Sequence, residues 1–429
     1  MQSIGIITEY NPFHSGHAYQ LAWLKNKFPN HMLIIAMSGA FTQRGLPALM
    51  SKFVRAQMAI SCGADIVLEL PAAYALCSAQ GFASGGLSLL SQVGCSYLAF
   101  GSELTNTNLF IKTAHISLSP LVQDDCRKLL QEGHAYGYAL RQAIIKALPE
   151  SAPLLSQPNA LLGLEYVKAI ISGHLPIQPL PIKRQGHYNQ AQAPKDAAAP
   201  SGRFLRQVIQ KELTSCPNSI GAALNQELPI YNTLTKLAPY IPPETLTLYK
   251  DVLQAGALTD YTRFDDQSLS AWRRANLASI ISLPTVNEGL ENTFLQAAAQ
   301  PSMQDFYKMC KSKRYSYSRL QRISAYLLLN YPKNLYQEIQ TAARAVPYAR
   351  LLGASSRGRF WLKESPKLPI PLIQKWAPFY RQSQGLSKEL AQLDTLASNL
   401  QSLCFWSPKA RQGQKDFTQN PYIQKATQL

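Results

Sequence analysis

The sequence predicts an α/β protein: a doubly wound parallel sheet, then a mainly helical region, then a strongly basic C-terminal portion. Three observations carry this reading. Short apolar runs alternate with amphipathic stretches at the start, helical periodicity dominates after residue 202, and positive charge gathers near the end. Ser3–Thr8, His31–Met37, Ala64–Leu70 and Ser96–Phe100 read as strands buried on both faces. His17–Phe28, Ser51–Cys62 and Ala73–Val93 read as the helices between them. Ligands of such sheets bind beyond the carboxyl ends of the strands. There the sequence places Glu9–His17, Ser38–Gly45, Glu69–Pro71 and Gly101–Glu103.

A helical stretch runs on from about Asn106 to Leu148, and Ser156–Asn159 reads as a turn and cap before a helix over Ala160–Ser172. Pro176–Lys183, with three prolines, reads as an edge strand, and Gln190–Ser201 as a mobile loop. Loops are expected near Tyr240–Pro243 and Tyr261–Gln267, and partial disorder beyond Lys409, where the chain is polar and Gln-rich. The expected division is a catalytic domain over 1–205, a helical middle over 206–300 and a basic C-terminal domain over 301–429.

The chain has 429 residues, 46% of them hydrophobic and 16% charged, which excludes disordered and disulfide-stapled classes. Its seven cysteines are scattered without metal-binding spacing, and the N-terminus lacks the basic segment and long apolar run of a signal peptide. The expectation is a cytoplasmic protein with reduced thiols. The formal net charge is +17, yet 20 basic and only 6 acidic side chains fall after residue 300. A near-neutral front joined to a basic back suits a catalytic unit followed by one that binds a polyanion. Within the back, Lys308–Arg322 interleaves cations with tyrosines, and Arg350–Arg359 reads as a small-residue loop carrying three arginines. Cations suit phosphates, and tyrosine rings stack on unpaired bases.

The segment Glu9-Tyr-Asn-Pro-Phe-His14-Ser-Gly16-His17 lies between the first strand and the first helix. Two imidazoles three residues apart share one helical face, and a helix N-terminus favours phosphate. Gly16 lets a nucleotide approach the backbone, and Asn11-Pro12 suits the tight turn over the strand end. Such donors around an α-phosphate are what nucleotidyl transfer requires, since charge there rises in the transition state. Lys52 and Arg55, also three apart, are candidates to hold phosphate or RNA. Asp65 reads as a structural hydrogen-bonding residue.

His14-Ser-Gly-His17 after an N-terminal strand resembles the signature of the HIGH superfamily of nucleotidyltransferases. The longer strings Gly5–His17, Met37–Ala48, Lys52–Arg55, Gly63–Pro71, Phe100–Glu103 and Ser156–Tyr166 together resemble the bacterial tRNA(Met) cytidine acetate ligases. The resemblance is dense to about residue 190 and thinner through Ser312–Tyr315 and Arg319–Arg322. It implies a Rossmann-like catalytic domain and an RNA-binding C-terminal one. It further implies that ATP, with magnesium, activates acetate as acetyl-adenylate, and that the acetyl group passes to N4 of the wobble cytidine in the anticodon loop of elongator tRNA(Met). The order is chemically sensible, because a cytosine amine is a poor nucleophile and a free carboxylate a poor electrophile.

Carried onto this chain, the family's ATP-binding stretch falls on Ile7, Thr8, Glu9, Tyr10, Asn11, Pro12, Phe13, His14, Ser15, Gly16, His17, Ala18, Tyr19 and Gln20. Isolated contacts fall on Gly101, Asn159 and Arg184. His14 and His17 are expected on the α- and β-phosphates, Arg184 on the pyrophosphate, and Gly101 and Asn159 around the nucleoside. Lys52, Arg55, Lys311, Lys313, Arg314, Arg319 and Arg322 are the candidates for tRNA contact. One departure is that Ser201-Gly-Arg203-Phe-Leu-Arg206 puts Arg203 where a second phosphate loop carries a small hydroxyl residue. Two other classes fit less well: a ligase acting on a free metabolite amine, which needs no basic back portion, and a non-catalytic RNA-binding protein, which needs no intact phosphate site.

Overall fold

The computed structural model describes residues 2–184, 201–214, 227–286, 289–313, 315–341, 345–364 and 368–425. Its first half alternates as expected. β1 (Ser3–Thr8), α1 (Ser15–Lys27), β2 (Met32–Ser38), α2 (Lys52–Ser61), β3 (Ile66–Leu70), α3 (Ala72–Ala75), α4 (Ala79–Gln92) and β4 (Tyr97–Ser102) follow in chain order. A helical module comes next: α5 (Thr107–Leu118), α6 (Pro120–Gln131), α7 (Tyr136–Ala147), α8 (Ala152–Leu155) and α9 (Pro158–Ser172). β5 (Gln178–Lys183) then returns to the sheet, and α10 (Gly202–Thr214) opens the middle region.

The sheet order β5-β4-β1-β2-β3 is parallel throughout, with its topological switch between β1 and β4. Alternate strand residues enter two separate cores. Ile34, Ala36, Ile66 and Leu68 pack with α4 and α9 on one face, while Leu33, Ile35, Met37 and Val67 pack with α1, α2 and α10 on the other. Both faces are covered, which is why the strands read as unbroken apolar runs. Asp65 Oδ2 accepts from the Leu33 N–H at 2.9 Å and Oδ1 from the Ser355 hydroxyl at 3.1 Å, so this carboxylate is structural.

The C-terminal region departs from expectation. β6 (Ala349–Ala354) pairs antiparallel with β3, and β7 (Leu372–Ile373) and β8 (Tyr422–Ile423) both pair parallel with β6, making one eight-stranded sheet. The boundary expected at residue 301 therefore does not part the sheet. Arg350–Ala354 is strand rather than loop, and the tail beyond Lys409 holds the short helix Lys415–Thr418 and β8. Tyr261–Gln267, expected as a loop, begins the helix Tyr261–Arg274, whose N-terminus Asp260 caps by accepting from the Thr262 N–H at 3.0 Å. The expected loop over Gln190–Ser201 lies outside the described residues except for Ser201, and among those described no helix is long and apolar enough to cross a membrane.

Candidate active site

The two histidines are set by the first turn of α1. His14 is the N-cap, and its Nδ1 accepts from the Gly16 N–H at 3.1 Å; His17 Nδ1 accepts from the His14 N–H at 3.3 Å. The rings stack with centroids 3.8 Å apart. Because both Nδ1 atoms accept backbone hydrogens, both rings carry their proton on Nε2 when neutral. Neutral is the form the site favours. Burial and then the charges of Arg184 and Arg206 push the His14 pKa down to about 3, and burial, His14 and Arg184 lower that of His17. The pair is thus a fixed two-donor fork at a helix N-terminus.

Contacts from the middle of the chain hold this turn. Tyr249 donates its hydroxyl to the Phe13 carbonyl at 2.6 Å, Ser15 donates to the Tyr240 carbonyl at 2.9 Å, and the Arg206 guanidinium donates to the Asn11 carbonyl. Asn11 Oδ1 accepts from the Leu49 N–H at 2.7 Å.

A crevice with two lobes meets at the histidines. The first lobe is lined by Gly101, Asn159 and Arg184 with Gly16, Tyr19 and Gln20, and the second by Glu9, Tyr10, Asn11, Thr42–Arg44, Ser201–Arg203 and Arg206. Ile7, Thr8, His14, His17, Leu162, Tyr166 and Arg184 line both. In the first lobe, Glu103 accepts from Asn159 Nδ2 at 2.6 Å and from the Ala160 N–H at 3.0 Å, capping α9 and fixing the amide. Arg184 Nη1 donates to Asn159 Oδ1 at 3.4 Å. A Cβ on Gly101 would lie 3.0 Å from Arg184 Cγ, so the bare strand end is what lets the arginine lie across it.

Of the expected ATP-binding stretch, Pro12, Phe13, Ser15 and Ala18 do not line the crevice. Phe13 is fully buried, and Ser15 is spent on Tyr240. Gly101, Asn159 and Arg184, distant in sequence, come together in the first lobe. Lys52 and Arg55 do not face phosphate or RNA. Lys52 is 2% exposed, 2.7 Å from Glu69 and 2.8 Å from Asp416. Arg55 is fully buried and donates to the carbonyls of Glu9, Ser38, Gly39 and Met50. Their shared helix face points inward. Arg350 closes the same buried cluster, 3.0 Å from Glu69 and 2.9 Å from Asp416, stacked over Trp376.

Lys311 and Lys313 are exposed, and Lys311 sits over the Tyr317 ring. Arg319 is half-buried, stacked on Tyr315 and donating to the Thr285 carbonyl at 2.8 Å, and Arg322 is half-buried; Arg314 lies outside the described residues. The helix Tyr317–Leu328 abuts the crevice. Gly45, with φ +81°, follows Arg44 and lies so close that a Cβ there would be 2.6 Å from the Arg322 nitrogen. Arg44 falls in the Ser38–Gly45 segment that the sequence places at the strand ends, and Arg203 and Arg206 in the segment matched to a second phosphate loop, but none of the three was among the residues expected to contact ATP or tRNA. Glu103 was legible as part of a segment at the strand ends, but not as the partner that fixes Asn159.

The HIGH Nucleotidyl Transferase family matches residues 1–416. The chain belongs to this family. Relatives named tRNA(Met) cytidine acetate ligase include one from a Geobacillus species, 37% identical and covering 90% of this chain and 93% of its own, and one from Bacillus subtilis, 33% identical and covering 95% and 94%. These likenesses place the chain among the tRNA(Met) cytidine acetate ligases within the HIGH nucleotidyltransferases. The crystal structure of Thermotoga maritima TmcAL bound with alpha-thio ATP is similar over 99% of this chain and all of that one, with 25% identity and a TM-score of 0.86. The apo form of the same protein gives a TM-score of 0.88.

Proposed function

We propose that the crevice joins acetate to ATP as acetyl-adenylate, releases pyrophosphate, and passes the acetyl group to N4 of the wobble cytidine of elongator tRNA(Met). The observation that carries this is the neutral histidine fork where the two lobes meet. Its Nε2–H donors suit an α-phosphate whose charge rises as the acetate oxygen attacks, and their fixed orientation removes reorganisation from that step. Asn159, held by Glu103, and the open edge at Gly101 suit the nucleoside. Arg184 suits the departing pyrophosphate, whose charge an Arg fork meets in bidentate fashion.

Magnesium would travel with the triphosphate and neutralise part of its charge. Of the carboxylates beside the crevice, Glu9 accepts from the Gln43 N–H at 2.7 Å and Glu103 from the α9 terminus. Among the described residues no three His, Cys, Asp or Glu side chains gather to hold a metal ion. For the RNA, Lys311, Lys313, Arg319 and Arg322 lie on or just before the helix Tyr317–Leu328, whose backbone at Arg322 packs against Gly45 next to the second lobe, and such a basic stretch suits an anticodon loop whose wobble base is unstacked at modest cost.

The test is incubation of the full chain with ATP, magnesium, labelled acetate and unfractionated bacterial tRNA, followed by nucleoside analysis. ATP-dependent label in N4-acetylcytidine is expected. Acetyl-adenylate without labelled RNA would move the acceptor to a small amine, and neither product would sink the reading.

A further inference from the structure

Acyl transfer to an exocyclic amine needs a base. As the cytosine nitrogen attacks the acyl carbon its acidity rises, and the proton must reach a nearby lone pair. The groups that line the crevice leave little choice. His14 and His17 point Nε2–H donors inward and have both Nδ1 atoms bonded to backbone N–H groups. Arg44, Arg184, Arg203, Arg206 and Lys183 are cations, and burial raises the phenols of Tyr10 and Tyr166, keeping them neutral. Among the described residues, the one carboxylate lining either lobe is Glu9, and it lines the second lobe alone.

Its position is built. The Glu9 carbonyl accepts from Arg55 Nη1 at 2.6 Å, and its Oε1 accepts from the Gln43 N–H at 2.7 Å. The Gln43 side chain is in turn anchored by donating to the Cys77 carbonyl at 3.1 Å. One carboxylate oxygen is thereby committed to the protein, and Oε2 is left for a ligand. A carboxylate is ill suited to phosphates, but Glu and Asp are the side chains that accept from the cytosine N4 amine.

We propose that Glu9 is the general base of the acyl-transfer half-reaction and the residue that receives the cytosine amine in the second lobe, an inference that rests on the function proposed above. The N4 lone pair attacks the acyl carbon, a C–N bond forms, and the acyl C–O bond to AMP breaks with its electron pair leaving on the phosphate. The N4 proton passes to Glu9 Oε2 and from there to solvent. The adenylation half uses the histidine fork and the first lobe, without a proton acceptor at Glu9.

The experiment separates the halves in the full-length protein. Acetate-dependent ATP–pyrophosphate exchange reads activation; a single-turnover assay with chemically prepared acetyl-adenylate and bacterial tRNA reads transfer alone. Glu9→Gln keeps the bond from Gln43 through its one amide oxygen and puts an NH2 group in the place of Oε2, so the base is lost and the amine loses its acceptor. Transfer should fall on the order of 100-fold or more, and at least about tenfold further than exchange, since Glu9 also borders the nucleotide site but only transfer needs its lone pair as a base. Glu9→Asp, a second carboxylate variant, should recover at least about tenfold of the transfer lost in Glu9→Gln. Transfer by Glu9→Gln at near wild-type rate, or loss of exchange in step with transfer in both variants, would overturn the assignment. Failure of the wild-type protein to acetylate tRNA from preformed acetyl-adenylate would instead strike the underlying reading.

Discussion

His14 carries a pH dependence whose sign follows from its burial. Its folded pKa of about 3 lies below the ordinary 6.5, so between those values the unfolded chain binds the extra proton. Stability from this group is complete above about pH 6.5 and drains away as pH falls toward 3; at pH 5 the loss is about 2 kcal/mol from His14 alone. Thermal melts between pH 7.5 and 5 should show the decline, and His14→Gln should flatten it. A wild-type melting temperature that holds constant over that range would contradict the neutral pair. On activity, His14→Ala should cut acetate-dependent pyrophosphate release by about 100-fold or more while leaving tRNA binding within a few-fold, read by filter binding.

At the scale of elements, the buried square of Lys52, Glu69, Arg350 and Asp416 ties α2, β3, β6 and the last short helix together. Lys52→Met leaves two carboxylates facing one guanidinium and should cost about 3 to 5 kcal/mol in urea unfolding. Gly45→Ala places a side chain at positive φ and into the backbone of the helix Tyr317–Leu328. It should lower the melting temperature and impair RNA acetylation more than pyrophosphate exchange, because the displaced loop lines only the second lobe. Here the limits of one sequence are visible. The four parallel strands of the first hundred residues were legible because each is apolar on both faces, and the HxGH turn because it follows the first of them. β6 was not, since Arg350 within it looks like a phosphate ligand until Glu69 and Asp416 are seen beside it. Nothing along the chain links positions 69, 350 and 416. The same holds for Lys52 and Arg55, whose spacing fixes a helix face without saying which way it points.

Over the whole molecule, a net charge of +17 predicts salt-sensitive RNA binding. Replacing the exposed Lys311 and Lys313 with alanine should weaken tRNA binding and reduce its log–log salt slope by about 1 to 2, with exchange unchanged. An unaltered slope would make the C-terminal charge a matter of solubility. The charge asymmetry and the crevice were readable from sequence; that the basic part shares a sheet with the catalytic part was not, because strand pairing across the chain leaves no local mark. That sharing also bears on how the protein is made. β3 leaves the ribosome early, yet β6, the neighbour that covers its outer edge, is translated about 280 residues later, roughly 15 to 60 s at bacterial elongation rates. For that interval the nascent chain carries an open strand edge, apolar but for Glu69, the kind of template that recruits other chains. Ribosome-bound fragments ending before residue 349 should therefore depend on chaperones, and the completed protein should not.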